Sequence, residues 1–251
     1  MANYNFVYDE EQVIRFHSLL NPLAPEEAYF LSMSARNKYL DEQERRDLDL
    51  GRTEMFARKL VKSSRPEVFL RVLHSMEVNE GGYTSRNGSP LPEKCLVVYA
   101  NINPASGVKA LQEFYEKTHQ LLFDMRTDER AFARMRSLDT ELMNCYQRAK
   151  GTRTLIDIDF DVPEQGFDLV EMVYNDLKSH LVPAHVISTK SGYHMLVEKK
   201  HLSYNYTEIV KYAHTEAEKR FGHAEVVVNK NDMCVVPGTM QANHPVKFVE
   251  I

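Results

Sequence analysis

The segment LIDIDFD, from Leu155 to Asp161, places a carboxylate at every second position of an otherwise apolar run. Successive side chains of a β-strand point to opposite faces, so this spacing predicts a strand with one apolar and one acidic face. The acidic face carries Asp157, Asp159 and Asp161. Carboxylates on one face repel each other, and burying one without a partner is costly, so we expect a cation or several hydrogen-bond donors beside them.

The segments around this strand predict the order β-α-β-β-α-β, with strands at 153–160, 184–189, 193–198 and 224–229 and helices at 165–181 and 205–221. This order matches the ferredoxin-like or RRM-like unit, in which the first strand lies between the third and the fourth in an antiparallel sheet. We therefore expect His194 and Asn229 to approach Asp157 and Asp159.

The first 150 residues predict a helical or α+β lobe that packs against this RRM-like lobe. The patterns predict helices at 9–20 and 25–50, strands at 67–78 and 94–101, an exposed loop at 79–92, and two helices within 108–150 with a break at 126–128. The fold class predicted is α+β. We expect one domain over 1–251, with an N-terminal lobe at 1–150 and the RRM-like lobe at 151–251.

Composition excludes few functions. The net charge of -5 is weak evidence against a nucleic-acid binder, but acids concentrated at 9–11 and 41–49 leave room for a local basic groove. The chain has no leader pattern and no apolar run of about 18 residues, which favours a cytoplasmic protein without membrane contact. Cys95, Cys145 and Cys234 are far apart and lack CxxC pairing, so we expect reduced core cysteines.

Paired carboxylates at positions i and i+2 of a strand can bridge divalent cations. Asp157 and Asp159 offer hard oxygen ligands, which suit Mg²⁺ or Mn²⁺ holding a triphosphate. Two such cations can stabilise the attacking and departing oxygens of phosphoryl transfer. Asp161 is instead expected to be a solvated or turn-capping residue because it lies at the strand end, near Pro163.

The turn STKSGYH, residues 188–194, supplies groups that can hold phosphate oxygens. Lys190 offers a charge, Ser191 a hydroxyl and His194 a ring nitrogen, while Gly192 allows close backbone approach. Taken alone, this turn would be interpreted as a solvated hairpin with a structural histidine. Its expected adjacency to the paired aspartates favours phosphate binding.

These motifs together resemble the archaeo-eukaryotic primase superfamily, in its primase-polymerase branch, which includes phage-type and CRISPR-associated proteins. The resemblance covers 153–251 and weakens to a strand followed by NINP at 101–104. Asp157 and Asp159 match the hhhDhD motif of that family. Ser191, Gly192 and His194 match its Ser/Gly-rich turn that closes on a histidine.

The third motif departs from the family pattern. Pro237-Gly238 is present, but Val235 stands where an arginine is usual, and Asn229 stands near the expected acid. Asn229 can coordinate through its carbonyl oxygen and is the predicted third metal ligand. Glu225 and Asp232 are the alternatives.

The resemblance implies a template-directed nucleotidyltransferase, a DNA primase or DNA polymerase, that joins NTPs or dNTPs on a single-stranded DNA template with Mg²⁺ or Mn²⁺. It implies Asp157, Asp159 and His194 as catalytic residues and Asp157, Asp159 and Asn229 as metal ligands. The nucleotide-binding residues expected are Lys190, Ser191, Gly192, His194 and Lys38.

The N-terminal lobe and the missing motifs lead to further predictions. Arg36, Asn101 and Asn103 are candidates in the N-terminal lobe. No GxxxxGK[ST] helicase motif occurs, so we expect a helicase, or another replication or CRISPR-adaptation protein, to be supplied by another chain or by a region beyond Ile251.

Rival functions from other classes remain open. An RRM-like nucleic-acid-binding module without catalysis would stack bases on exposed aromatics, whereas here the open face carries aspartates that repel phosphates. A metal-dependent glycosyltransferase also uses DxD, but it needs an α/β nucleotide-binding lobe ahead of that motif. A nucleotidyl cyclase shares the ferredoxin-like sheet without needing the SGYH and PGT segments.

Overall fold

The computed structural model describes residues 3–251 and has the α+β class that the sequence predicts. Within that range, two five-stranded antiparallel sheets face each other across a cleft, with helices around them. The α-helices are α1 (Glu10–Leu19), α2 (Glu42–Leu48), α3 (Pro66–His74), α4 (Gly107–Asp124), α5 (Glu129–Arg134), α6 (Leu138–Arg148), α7 (Phe167–Ser179) and α8 (Thr207–Phe221).

The first sheet belongs mainly to the N-terminal half. Its strands, in spatial order, are β2 (Thr53–Val61), β1 (Glu27–Arg36), β3 (Leu96–Asn101) and β9 (Met233–Val235), with β4 (Ala105–Ser106) paired to the start of β1. Because β9 comes from the C-terminal half and pairs with β3, it ties the two halves of the chain together.

The second sheet contains the acidic strand. Its strands, in spatial order, are β12 (Lys247–Val249), β6 (Ala184–Thr189), β7 (Gly192–Glu198), β5 (Leu155–Asp161) and β8 (Glu225–Val228). A two-stranded ribbon, β10 (Met240–Gln241) with β11 (His244–Pro245), precedes β12. As the topology predicted, β5 lies between β7 and β8, and Asp159 is directly opposite His194.

The apolar face of β5 packs under two helices. Ile158 and Phe160 are fully buried together with Val170 and Val173 of α7 and Ala213 of α8. This is the core expected from the alternation in LIDIDFD. The other face of the second sheet contributes Leu155, Ile187 and Leu196 to a core shared with the first sheet.

Two predictions for the N-terminal half are wrong. Residues 25–50 do not form one long helix, because 27–36 is strand β1, which is buried along almost its whole length. A strand covered on both faces shows no polar alternation, so its apolar run mimics a buried helix. Residues 67–78 are not a strand, because α3 occupies most of them.

Helix α3 follows from packing. Pro66 stands in its first turn, a position where a proline costs no hydrogen bond. Phe69 and Leu73, four positions apart, are buried, and the Phe69 ring packs 6.4 Å, between centroids, from that of Phe16 in α1. This amphipathic burial outweighs the strand preference of the Val residues in the segment.

The remaining predictions hold in part. Strand β3 agrees with the predicted 94–101, and the break at 126–128 separates α4 from α5, although a further helix, α6, follows. Residues 79–92 lack a regular element, but Tyr83 and Leu91 are buried, so this loop is not exposed throughout. Among the described residues, no helix is both long and apolar enough to span a membrane.

Candidate functional site

The candidate site is a cleft of about 750 Å³ between the two sheets. Asp159 and His194 of the second sheet line one wall, together with Asn229 at the end of β8. Ser32, Arg36 and Lys38 line the opposite wall. An acidic wall therefore faces a basic one.

A buried ion pair anchors the acidic wall. Asp157 is fully buried, and the Nδ1 atom of His194 lies 3.1 Å from its Oδ1 and 3.0 Å from its Oδ2. The side-chain amide of Asn229 donates a further hydrogen bond of 2.9 Å to Asp157 Oδ2. Such charge-assisted hydrogen bonds offset the desolvation of a buried carboxylate. The convergence expected for Asp157, His194 and Asn229 is thus observed.

The charge of His194 follows from this contact. Burial alone would lower the pKa of its imidazole, but the negative charge of Asp157, their hydrogen bond and the charges of Asp159 and Asp161 raise that pKa to about 9. The ring is therefore protonated at neutral pH when no metal is bound.

Asp159 is the carboxylate that faces the cleft. Its side chain is 40% exposed, and its Oδ1 lies 3.9 Å from His194 Nδ1, beyond hydrogen-bonding distance. Among the described residues, no hydrogen-bond donor contacts its carboxylate. Burial raises the pKa of Asp159 and so do Asp157 and Asp161, although the cations His194 and Lys38 oppose that rise. An under-compensated carboxylate at the cleft surface fits a divalent cation.

Lys38 links the two walls. Its Nζ donates a hydrogen bond of 3.0 Å to the hydroxyl of Ser191, in the turn before β7. Burial lowers the pKa of Lys38, as do the like charges of Arg36 and Arg52, although Asp161 and Asp159 raise it. Cations clustered in this way would gain from an anion between them.

Polar groups on the basic wall have unused hydrogen-bonding capacity. Arg36 donates one hydrogen bond of 2.6 Å to the hydroxyl of Tyr99, on β3. The Nε of Arg36 and the hydroxyl of the fully buried Ser32 have no partner among the described residues. Buried polar groups without partners are rare, and both residues lie at the cleft. Sequence reasoning missed Ser32 and Tyr99 because their segments carry no motif.

Gly192 is required by packing. A Cβ at this position would lie 1.9 Å from the backbone oxygen of Phe160 in β5, so no side chain fits. The glycine therefore permits close approach of the turn to β5, which places Ser191 at the cleft. Lys190 is exposed and does not line the cleft, and its backbone N–H donates to Gln241 Oε1 at 2.8 Å.

Asn229 approaches Asp157 as a donor. Its amide nitrogen also donates to the backbone oxygen of Met233 at 3.1 Å, while its Oδ1 accepts the backbone N–H of Asn231 at 2.9 Å. The amide would have to turn over to present its oxygen to a cation at Asp157. In this structure Asn229 positions the carboxylate.

The alternative third ligands lie elsewhere. Glu225 is exposed and pairs across the sheet with Asp161, at the far end of β5. Asp232 is buried and forms ion pairs with Lys150 at 3.1 Å and Arg153 at 2.8 Å. The charge of Asp232 is thus already compensated by two cations.

Asn101 and Asn103 serve the fold. Asn103 Oδ1 accepts the backbone N–H groups of Thr154 at 2.8 Å and Leu155 at 3.0 Å, and its amide donates to Leu155 O at 3.0 Å. Asn101 accepts the backbone N–H of Phe30. Both asparagines are buried, and neither lines the cleft.

A buried group of three different donors lies beneath the acidic wall. The thiol of Cys234, the Nδ1 of His194 and a carboxylate oxygen of Asp157 lie within 4.8 Å of one another, and this group could hold a metal ion. The sequence marks Cys234 only as a core residue. The pairing of β9 with β3 is what brings its thiol to Asp157.

Comparisons with protein-family models, with curated proteins and with solved structures find no match to this chain. The primase-polymerase resemblance therefore stays a prediction from the motifs.

Proposed function

We propose that this chain is a template-directed nucleotidyltransferase, a DNA primase or DNA polymerase, that joins NTPs or dNTPs on single-stranded DNA. The observation that carries the proposal is the cleft itself, in which Asp159, beside the Asp157–His194 pair, faces Arg36 and Lys38. The strand order of β5 to β8 agrees with a ferredoxin-like or RRM-like catalytic lobe, and we include that assignment in the proposal.

The basic wall would bind the triphosphate. Lys38 and Arg36 supply positive charge, and Ser191 supplies a hydroxyl on the opposite side of the cleft. Phosphate oxygens would accept hydrogen bonds from Lys38 and Ser191, which now bond to each other. The phosphate would then compensate the positive charges of Lys38 and its neighbour Arg36. The cleft volume of about 750 Å³ lies within the range usual for small-molecule sites, which suits a nucleotide.

The acidic wall would hold the cations. Asp159 and Asp157 would bind Mg²⁺ or Mn²⁺, which when bound neutralise the triphosphate and polarise its α-phosphorus. His194 keeps Asp157 in place through Nδ1, which leaves Nε2 for a phosphate oxygen. The 3′-oxygen of the growing strand would displace pyrophosphate, and the residues of the chain contribute positioning and charge compensation.

Asp159→Asn is the sharpest test of this proposal. Because Asp159 has no hydrogen-bond donor among the described residues, its amide analogue should leave the fold intact, whereas changes at Asp157 also break the buried pair. The assay mixes protein, single-stranded DNA, labelled NTPs or dNTPs, and Mg²⁺ or Mn²⁺, with and without a primer. We expect Asp159→Asn to lower the rate of nucleotide incorporation about 100-fold or more.

The matched control is Asp168→Asn, which removes an exposed carboxylate that pairs with Arg220 on the helical side of the lobe. This variant should incorporate nucleotides at the rate of the wild type. Products without a primer would identify a primase, and extension alone a polymerase. Wild-type protein that yields neither product, or an Asp159→Asn variant with full activity, would contradict the proposal.

A further inference from the structure

The donors beneath the acidic wall differ in chemistry. Asp157 on β5 offers a hard oxygen, His194 on β7 an imidazole nitrogen, and Cys234 on β9 a soft sulfur. Asp157 and Cys234 are fully buried and His194 is nearly so. These strands belong to different sheets, so the group exists only where the two sheets meet.

We propose that Asp157, His194 and Cys234 form a binding site for a thiophilic divalent cation of the Zn²⁺ or Co²⁺ type. In a tetrahedral zinc site the metal–ligand distances of about 2.0–2.3 Å hold the ligand atoms roughly 3.3–3.8 Å apart. The Asp157–His194 separation of 3.0–3.1 Å is already close to that spacing. Since all three atoms lie within 4.8 Å of one another, closing the site needs movements of about an ångström.

The charges balance when such a cation binds. The cation replaces the proton that joins His194 Nδ1 to Asp157, and the thiol of Cys234 loses its proton as the metal–sulfur bond forms. Both protons leave to solvent. A divalent cation with one carboxylate, one thiolate and one neutral imidazole has no net charge, which is the favourable outcome for a buried site.

The neighbouring groups complete the site. Asn229 donates to Asp157 Oδ2 at 2.9 Å, the kind of supporting hydrogen bond that orients a metal ligand. A water molecule would supply the fourth ligand, which keeps the site neutral, while Asp159 lies on the cleft side, 3.9 Å from His194 Nδ1.

The sulfur decides which cation is preferred. Mg²⁺ takes oxygen ligands and gains little from a thiolate, whereas Zn²⁺ and Co²⁺ bind sulfur and imidazole well. Because Asp157 belongs to this site and to the proposed catalytic cation site, a thiophilic cation should inhibit nucleotide transfer. That inhibition rests on the proposed function, but the binding site does not.

The test is a titration of reduced, metal-free protein with Co²⁺, followed by absorption spectroscopy without nucleotide or DNA. We expect a near-ultraviolet thiolate-to-cobalt charge-transfer band that Zn²⁺ removes and excess Mg²⁺ leaves in place. Cys234→Ser should lose the band. Cys95→Ser, which changes another fully buried cysteine away from the cleft, should keep it.

Two further variants keep the proposal testable if Cys234→Ser fails to fold. Asp157→Asn and His194→Gln retain the thiol and should both weaken Co²⁺ binding. No charge-transfer band in the wild type, or a band that survives Cys234→Ser, would overturn the proposal. The outcome is separate from the extension assay, since a protein that extends primers but shows no cobalt band refutes this inference alone.

Discussion

The buried pair of Asp157 and His194 makes the stability of the metal-free protein depend on pH in a defined way. Its imidazole keeps a pKa of about 9 in the folded chain, against an ordinary value of 6.5. Asp157→Asn preserves the shape of the side chain and removes the negative charge that raises the pKa of His194. Without that charge, burial should favour the neutral ring.

The sign follows from proton linkage. Because the folded-state pKa of His194 is raised, the stabilisation is fully present below the unfolded-state pKa of 6.5 and is lost as pH rises through about 9. Each pH unit between those two pKa values corresponds to about 1.4 kcal/mol. At pH 6 the pair should therefore add about 3 kcal/mol to the free energy of unfolding, and near pH 10 this contribution should be absent.

The assay is urea unfolding at both pH values with a chelator present. From pH 6 to pH 10, the free energy of unfolding of the wild type should fall by about 3 kcal/mol more than that of Asp157→Asn. The contributions of other titrating groups cancel between the two proteins. Asp168→Asn, which alters an exposed ion pair, should behave like the wild type. Equal pH dependence in wild type and Asp157→Asn would refute the reasoning.

Three other substitutions test separate parts of the site. Lys38→Met should raise the KM for the triphosphate about 10-fold or more with little effect on DNA binding, and the exposed control Lys219→Met should change neither in steady-state extension and DNA-binding assays. Gly192→Ala should lower the free energy of unfolding by about 3 kcal/mol or more, because a Cβ would overlap the carbonyl oxygen of Phe160 in β5. Gly88→Ala should lower it by only about 1–2 kcal/mol in the same urea unfolding experiment, because the space around Gly88 is open and only its left-handed backbone conformation opposes a side chain. Asn103→Ala should cost about 2–4 kcal/mol by the same measurement and leave triphosphate affinity unchanged, and a large rise in KM would show that NINP contacts substrate.

Local sequence patterns were sufficient to predict the second sheet. The alternation in LIDIDFD predicts which side chains of β5 face α7 and α8, because one face of this strand packs against apolar helices while the other carries carboxylates, so the residue type changes at every second position. The order of strands and helices then predicts that His194 lies beside Asp157, a contact observed at 3.0 Å.

The first sheet was harder to predict for a physical reason. Strand β1 is buried on both faces, so its residues carry no alternation to distinguish a strand from a helix. In α3, β-branched residues favour a strand, and packing of Phe69 against α1 decides for a helix. In both segments the deciding contacts come from residues distant in the chain.

The sequence by itself determined the acidic strand, its neighbours in the sheet, and the histidine beside the carboxylates. Only the tertiary structure decided what lies opposite them. Arg36 and Lys38 reach the cleft because the first sheet packs across the second. Cys234 reaches Asp157 because the chain leaves the second sheet after β8, and β9 then pairs with β3 in the first sheet. Strand periodicity is a local property, whereas contact between two sheets depends on the packing of the whole chain.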